Sequence, residues 1–163
     1  MFVVGRVAGV ACLDNRLYLV QYESNTIRVF AADTLREDSV ITVDGMYYPT
    51  DIAACRDDHQ LYVRDRPSII WRVSAVNPSD SERWLTNKRL HGFFTLSVTF
   101  RRLLLTSQPR SLHQYSTTDR RLLCTVKLPN SVKELTHAVE TSRDTFIICH
   151  AQPNAVSSLF VHI

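Results

Sequence analysis

The chain has 163 residues, 45% hydrophobic and 21% charged, with 4 Gly and 6 Pro. That composition excludes a disordered, collagen-like or membrane-helical chain and fits about one domain with a sizeable core. The formal charge of +3 is unevenly spread: 8 basic and 12 acidic side chains over 1–82 (−4), 10 and 1 over 83–133 (+9), 1 and 3 over 134–163 (−2), an asymmetry that marks either a face for an anionic partner or a solvated surface.

The N-terminal MFVVGRVAGVACL imitates a secretion signal, but Arg6 breaks the apolar run and its tail recurs later as a repeat element, so it reads as structure. Residues 1–6 stand before the first repeat as a spare outer strand. Strand signals then follow in order: LYLV (17–20), TIRVF (26–30), VITV (40–43), LYV (61–63), IIWRV (69–73), RLLLTS (102–107), SLHQYS (111–116), LLCTVKL (122–128), TFIICH (145–150) and VSSLFV (156–161). Turn-forming clusters such as YESN, DRPS, NPSD, SQPR and TTD separate them. The best helical candidate, 132–139, is short, and the chain reads as all-β.

Spacing decides the architecture. Leu17-Tyr18-Leu19 and Leu61-Tyr62-Val63 lie 44 residues apart, and the runs at 102–105 and 145–148 continue a period of about 42. Four strands in 40–45 residues is the period of a β-propeller blade, a sheet too small to bury both faces alone. The predicted blades are 7–44, 50–86, 94–129 and 136–163, with AGVACL, DIAAC, TLSV and HAVE as inner strands whose small residues suit crowding at an axis. The last unit stops after its third strand. The expectation is therefore about four four-stranded blades; the end in mid-strand favours a partial propeller over a closed four-bladed ring, and an open array would expose sheet edges through which copies can self-associate.

LYLVQYESNTIRVFAADT and LYVRDRPSIIWRVSA, with PTDIAAC before the second, resemble NHL repeats. The resemblance implies a propeller that usually closes with six blades and serves as a protein-facing or RNA-facing module, as in tripartite-motif proteins. The family's turn Asp falls at Asp65 and is replaced by Gln21 in the first unit, and the usual turn Gly is absent.

Chemistry is sparse. No HExxH, CxxC, GxSxG or phosphate-loop pattern occurs, so no catalytic residue, metal site or cofactor is expected. Cys12, Cys55, Cys124 and Cys149 are too scattered for a disulfide scaffold and read as buried free thiols of a cytoplasmic protein. His137 shares a repeat position with Asp51 and Thr95, which would ring one end of the channel. Arg64, Arg66 and Arg110 are expected in loops between second and third strands, with Tyr22 near the first two. Arg101, Arg102, Arg120 and Arg121 are expected in hairpins at the other rim, and Trp71 and Trp84 between blades. Binding is therefore assigned to Tyr22, Arg64, Arg66, Arg110, Asp51 and His137 in a non-enzymatic scaffold with a protein partner. Two alternatives stand: a single-stranded RNA face, since Arg grips phosphate and Tyr stacks on bases, and a hydrolase or lactonase with a channel metal. DNA and membrane partners are not expected.

Overall fold

The computed structural model describes residues 5–86, 95–107, 110–152 and 155–160, and contains no helix among them. The chain divides into two compact units, Met1–Asn87 and Lys88–Ile163.

The first unit holds two meander sheets. One orders β1 (Val7–Leu13), β2 (Arg16–Gln21), β3 (Thr26–Ala31) and β4 (Glu37–Thr42); the other orders β5 (Pro49–Cys55), β6 (Gln60–Asp65), β7 (Ile69–Ser74) and β8 (Ser81–Thr86). All neighbours are antiparallel. The two-residue turn Asp14-Asn15 joins β1 to β2 with both φ angles positive, at 50° and 59°, a conformation that Asp and Asn accept and that matches strand twist. Period-two alternation then sorts the side chains. Leu13, Tyr18, Val20, Ile27, Val29 and Ile41 leave the first sheet on one face and share a core with Ile52, Leu61, Val63, Trp71 and Val73 of the second. Burying each such side chain contributes about 1.5–3 kcal/mol. The sheets approach closely at Gly9, where an added Cβ would lie 2.9 Å from the Ile52 nitrogen and 3.1 Å from the Asp51 Cα.

The second unit repeats the plan. β9 (Leu96–Thr99), β10 (Arg102–Ser107), β11 (Ser111–Ser116) and β12 (Leu122–Lys127) form a four-stranded meander, and β13 (Lys133–Ser142), β14 (Thr145–Gln152) and β15 (Ala155–Phe160) a three-stranded one. Leu104 and Leu112 of the former meet Ala138, Phe146 and Ile148 of the latter in a second core. The Ser97 hydroxyl ties the pair by donating to the Ala138 carbonyl at 2.8 Å.

Several sequence expectations change. Residues 132–139, the best helical candidate, lie largely in β13, because pairing with β14 satisfies their backbone where a short isolated helix could not. The signal-like tail forms β1. Residues 1–4 of the expected spare strand fall outside the described residues. All four thiols are free, but only Cys55 is buried: Cys12 is exposed on β1, and Cys124 and Cys149 are half-buried. Trp71 and Trp84 are buried within β7 and β8.

Candidate functional site

Three loops at one end of the first unit gather an aromatic and basic patch. The β2–β3 loop supplies Tyr22, the β4–β5 connection Tyr47 and Tyr48, and the β6–β7 hairpin Arg66. Tyr22 and Tyr48 meet edge to face with ring centroids 5.5 Å apart, and Tyr47 and Tyr48 likewise at 4.5 Å. The guanidinium carbons of Arg6 and Arg66 each lie 5.6 Å from the Tyr22 centroid. Each such cation–π contact contributes about 0.5–1 kcal/mol at an exposed site. Tyr47 is 64% exposed, and Arg6 and Arg66 are exposed beside it.

The patch is held from below. Asp65, buried at the end of β6, accepts from the Tyr48 amide at 2.6 Å, the Tyr47 amide at 3.2 Å and the Trp71 indole Nε1 at 3.1 Å. One carboxylate thus fixes the Tyr47-Tyr48 backbone to the core tryptophan. The Arg66 amide donates to the Tyr48 carbonyl at 3.2 Å, and the Tyr22 amide to the Arg6 carbonyl at 2.9 Å. Glu23, beside Tyr48, pushes the Tyr48 hydroxyl above its ordinary pKa, with Tyr47 adding to the effect.

Sequence expectation and structure part company at Arg64. It lies within β6, 5% exposed, not in a loop. Its Nη1 donates to the Thr50 hydroxyl at 2.8 Å. Burial lowers its pKa, and the neighbouring Arg66 charge lowers it further while Asp51 opposes. The side chain is covered rather than presented at the rim, because β6 is buried from Leu61 to Asp65 on both of its faces. Asp51 pairs with Arg64 across β5 and β6, and its carboxylate accepts from the Ile52 amide at 2.9 Å. Tyr22 and Arg66 do sit in loops.

In the second unit, Arg110 lies in the β10–β11 hairpin and donates to the Asn130 carbonyl at 3.3 Å. His137 pairs with Cys149 across β13 and β14. Its Nδ1 lies 2.9 Å from the Thr95 hydroxyl, which in turn contacts the Thr106 hydroxyl at 3.0 Å. Arg102, expected in a hairpin, begins β10 and forms an ion pair with buried Glu140 at 3.2 Å. Gln114 Nε2 donates to the other Glu140 oxygen at 2.7 Å. His113 is half-buried, and burial lowers its pKa. Among the described residues, no group of three His, Cys, Asp or Glu side chains could hold a metal ion. An open polar recess of about 340 Å³ lies on the β6–β8 face, between Gln60, Arg72, Ser74 and Glu82, and Arg72 spans it to pair with Glu82.

Sequence reasoning missed Arg6, Tyr47 and Tyr48. The signal for the tyrosines was available: an aromatic pair in GMYYPT, between strands rather than inside one, has no core position to fill.

No protein-family model and no curated protein sequence matches the chain. Solved structures do. The computationally designed Ika4 protein superposes with a TM-score of 0.71 over 99% of this chain and 94% of its own, at 10% identity. The WD40 β-propeller domain of Doa1 gives 0.71 over 98% of this chain and 53% of its own, at 16% identity. Raptor of Chaetomium thermophilum gives 0.72 over 94% of this chain but 15% of its own, at 14% identity. At such identities the likeness concerns the fold alone, and with the four meander sheets it makes this chain an all-β protein of the β-propeller class.

Proposed function

We propose that the chain is a non-enzymatic interaction module, a propeller resembling NHL repeats, that binds a protein partner through the loop rim of its first unit. The observation that carries this reading is the convergence of Tyr22, Tyr47, Tyr48 and Arg66 from three separate loops onto one exposed patch, joined by Arg6. Tyrosine and arginine dominate protein-binding hot spots because each combines a large contact area with directed polar groups. Asp65 fixes the tyrosine loop in advance, so little ordering entropy remains to be lost on binding. Arg64 and Asp51 act from beneath, as supports of the rim. The WD40 domain among the similar structures lends the reading a parallel in fold.

The test is a photo-crosslinking residue placed at Tyr47, with a control at Val76, 76% exposed in the β7–β8 turn at the opposite end of its sheet. In cells, position 47 is expected to capture a discrete protein, position 76 is not, and Arg66→Glu removes the capture. Equal capture from both positions, or none from 47, would refute the rim. A crosslink that disappears after ribonuclease treatment would replace the protein partner with RNA.

A further inference from the structure

The two sheets of the first unit meet through non-identical faces, and that difference identifies a second surface. Strand pairing aligns Leu17 and Leu19 of β2 with Leu61 and Val63 of β6, since Tyr18 pairs with Val29 and Tyr62 with Arg72 at the same step. By the same register Val10 corresponds to Ile52, Cys12 to Ala54, and Phe30 to Val73. In the second sheet this set, Ile52, Leu61, Val63 and Val73 with Ala54, is the face that packs on the first sheet. In the first sheet the corresponding face is open in part: Val10 is 53% exposed, Val40 of β4 is 52% exposed and Cys12 is exposed, while Leu17 and Leu19 are half-buried and Phe30 is buried beneath Arg28. Its charges are balanced, because Arg28 grips Glu37 through bonds of 2.8 and 2.6 Å while lying over the Phe30 ring.

The last sheet has the opposite face open. Phe146 and Ile148 of β14 face the core shared with Leu104 and Leu112. Alternation therefore turns Ile147 the other way, together with Cys149 and the Val156 that pairs with it. Ile147 is 36% and Val156 70% exposed. This is the side through which Leu104 of β10, at the same step of its sheet, meets the sheet that follows.

We infer that these two open faces are the halves of one repeated sheet-to-sheet interface, and that a second copy of this chain occupies each. The face around Val10 of one copy receives the face around Ile147 and Val156 of another, repeating the packing made between the two sheets within each unit. Both surfaces expose apolar side chains, the first beside the neutralised Arg28–Glu37 pair, and each matches in register a face that is covered within a unit. A contact between unlike faces is head-to-tail and can propagate. The inference stands independently of the loop rim.

Sedimentation equilibrium of the 163-residue chain tests it. The expected result is a mass that rises with concentration to at least twice that of a single chain. Val10→Lys and Val156→Lys should each weaken association by at least about tenfold, since a charge at the centre of an apolar interface goes unpaired. Mixed in equal amounts, the two variants retain one intact face each and should restore a one-to-one pair. Cys12→Lys and Ile147→Lys repeat the test at the same faces if either variant loses its β-sheet circular dichroism. A wild-type chain that stays single at the highest concentration would overturn the inference, as would V156K alone still pairing, which would mean that like faces meet. A mixture that remains single would overturn it too.

Discussion

Replacing Asp65 by alanine removes an acceptor that joins the rim to the core. Its carboxylate is 1% exposed and receives three N–H groups, from Tyr47, Tyr48 and the Trp71 indole. The indole N–H lies in the interior and has no route to water after the change, a loss of about 1–3 kcal/mol for an orphaned donor. The two backbone amides are part-buried and partly recover by hydration, so each costs about 0.5–1.5 kcal/mol. Together these give about 2–6 kcal/mol, a large share of the about 5–15 kcal/mol that separates folded from unfolded domains. Urea unfolding followed through Trp71 and Trp84 fluorescence measures it. With a denaturant slope of about 1–3 kcal/mol per molar, the midpoint should fall by at least about 0.7 M. Trp71→Phe isolates the indole contribution, and in the double variant the two losses should be less than additive because they share one bond. A D65A midpoint within about 0.2 M of wild type would refute the anchoring role assigned to this carboxylate.

Three other predictions rest on separate features. Gly9→Ala drives its new Cβ into the backbone of Ile52 and Asp51, and forcing β1 away from β5 should cost about 1–3 kcal/mol, read as a lower midpoint in the same assay. Iodoacetamide at pH 8, at a chain concentration low enough to keep copies apart, should modify exposed Cys12 in the folded chain and spare Cys55, which is buried and whose thiol is pushed up to about 12 by that burial and by Asp58; equal labelling of the two by mass spectrometry would contradict the burial assignment. Burial pushes the Glu140 carboxyl above its ordinary 4.5 despite Arg102 and Gln114, so the folded chain keeps a proton there that the unfolded chain has released. The associated stability is fully present below pH 4.5 and is lost as the pH rises through the higher folded value. The difference in urea midpoint between wild type and Glu140→Gln should therefore shrink or change sign from acid toward neutral pH, and a constant difference would exclude this titration.

The blade period was legible because it rests on strands, and strands rest on alternation. Tyr18, Tyr62, Leu104 and Ile147 stand at one step of four successive sheets, and their spacing alone suggested a propeller. The equivalence of Asp51 and His137 within their sheets was readable for the same reason, and strand pairing reproduces it. What a repeat cannot show is the direction of a side chain near a strand end. Arg64 stood close enough to the DRPS turn to be read as a loop residue, yet one further step of alternation places it inside β6. The rim was half legible. Tyr22 and Arg66 lie in turn segments of recognisable composition, but Arg6 and the Tyr47-Tyr48 pair reach the same patch through tertiary placement of three loops. Asp65 was read as the family's turn residue. Its bonds to Tyr47, Tyr48 and Trp71 show that it is the buried bracket of the turn, a role that depends on residues up to 18 positions away.

The central claim, that the Tyr22–Tyr47–Tyr48–Arg66 rim is the binding face, is tested most directly by hydrogen exchange on the chain with and without the partner captured at position 47. The account predicts slowed exchange confined to peptides covering 22–25, 44–48 and 66–68. Slowed exchange in the 56–59 and 75–80 turns instead, with the three rim loops unchanged, would contradict it.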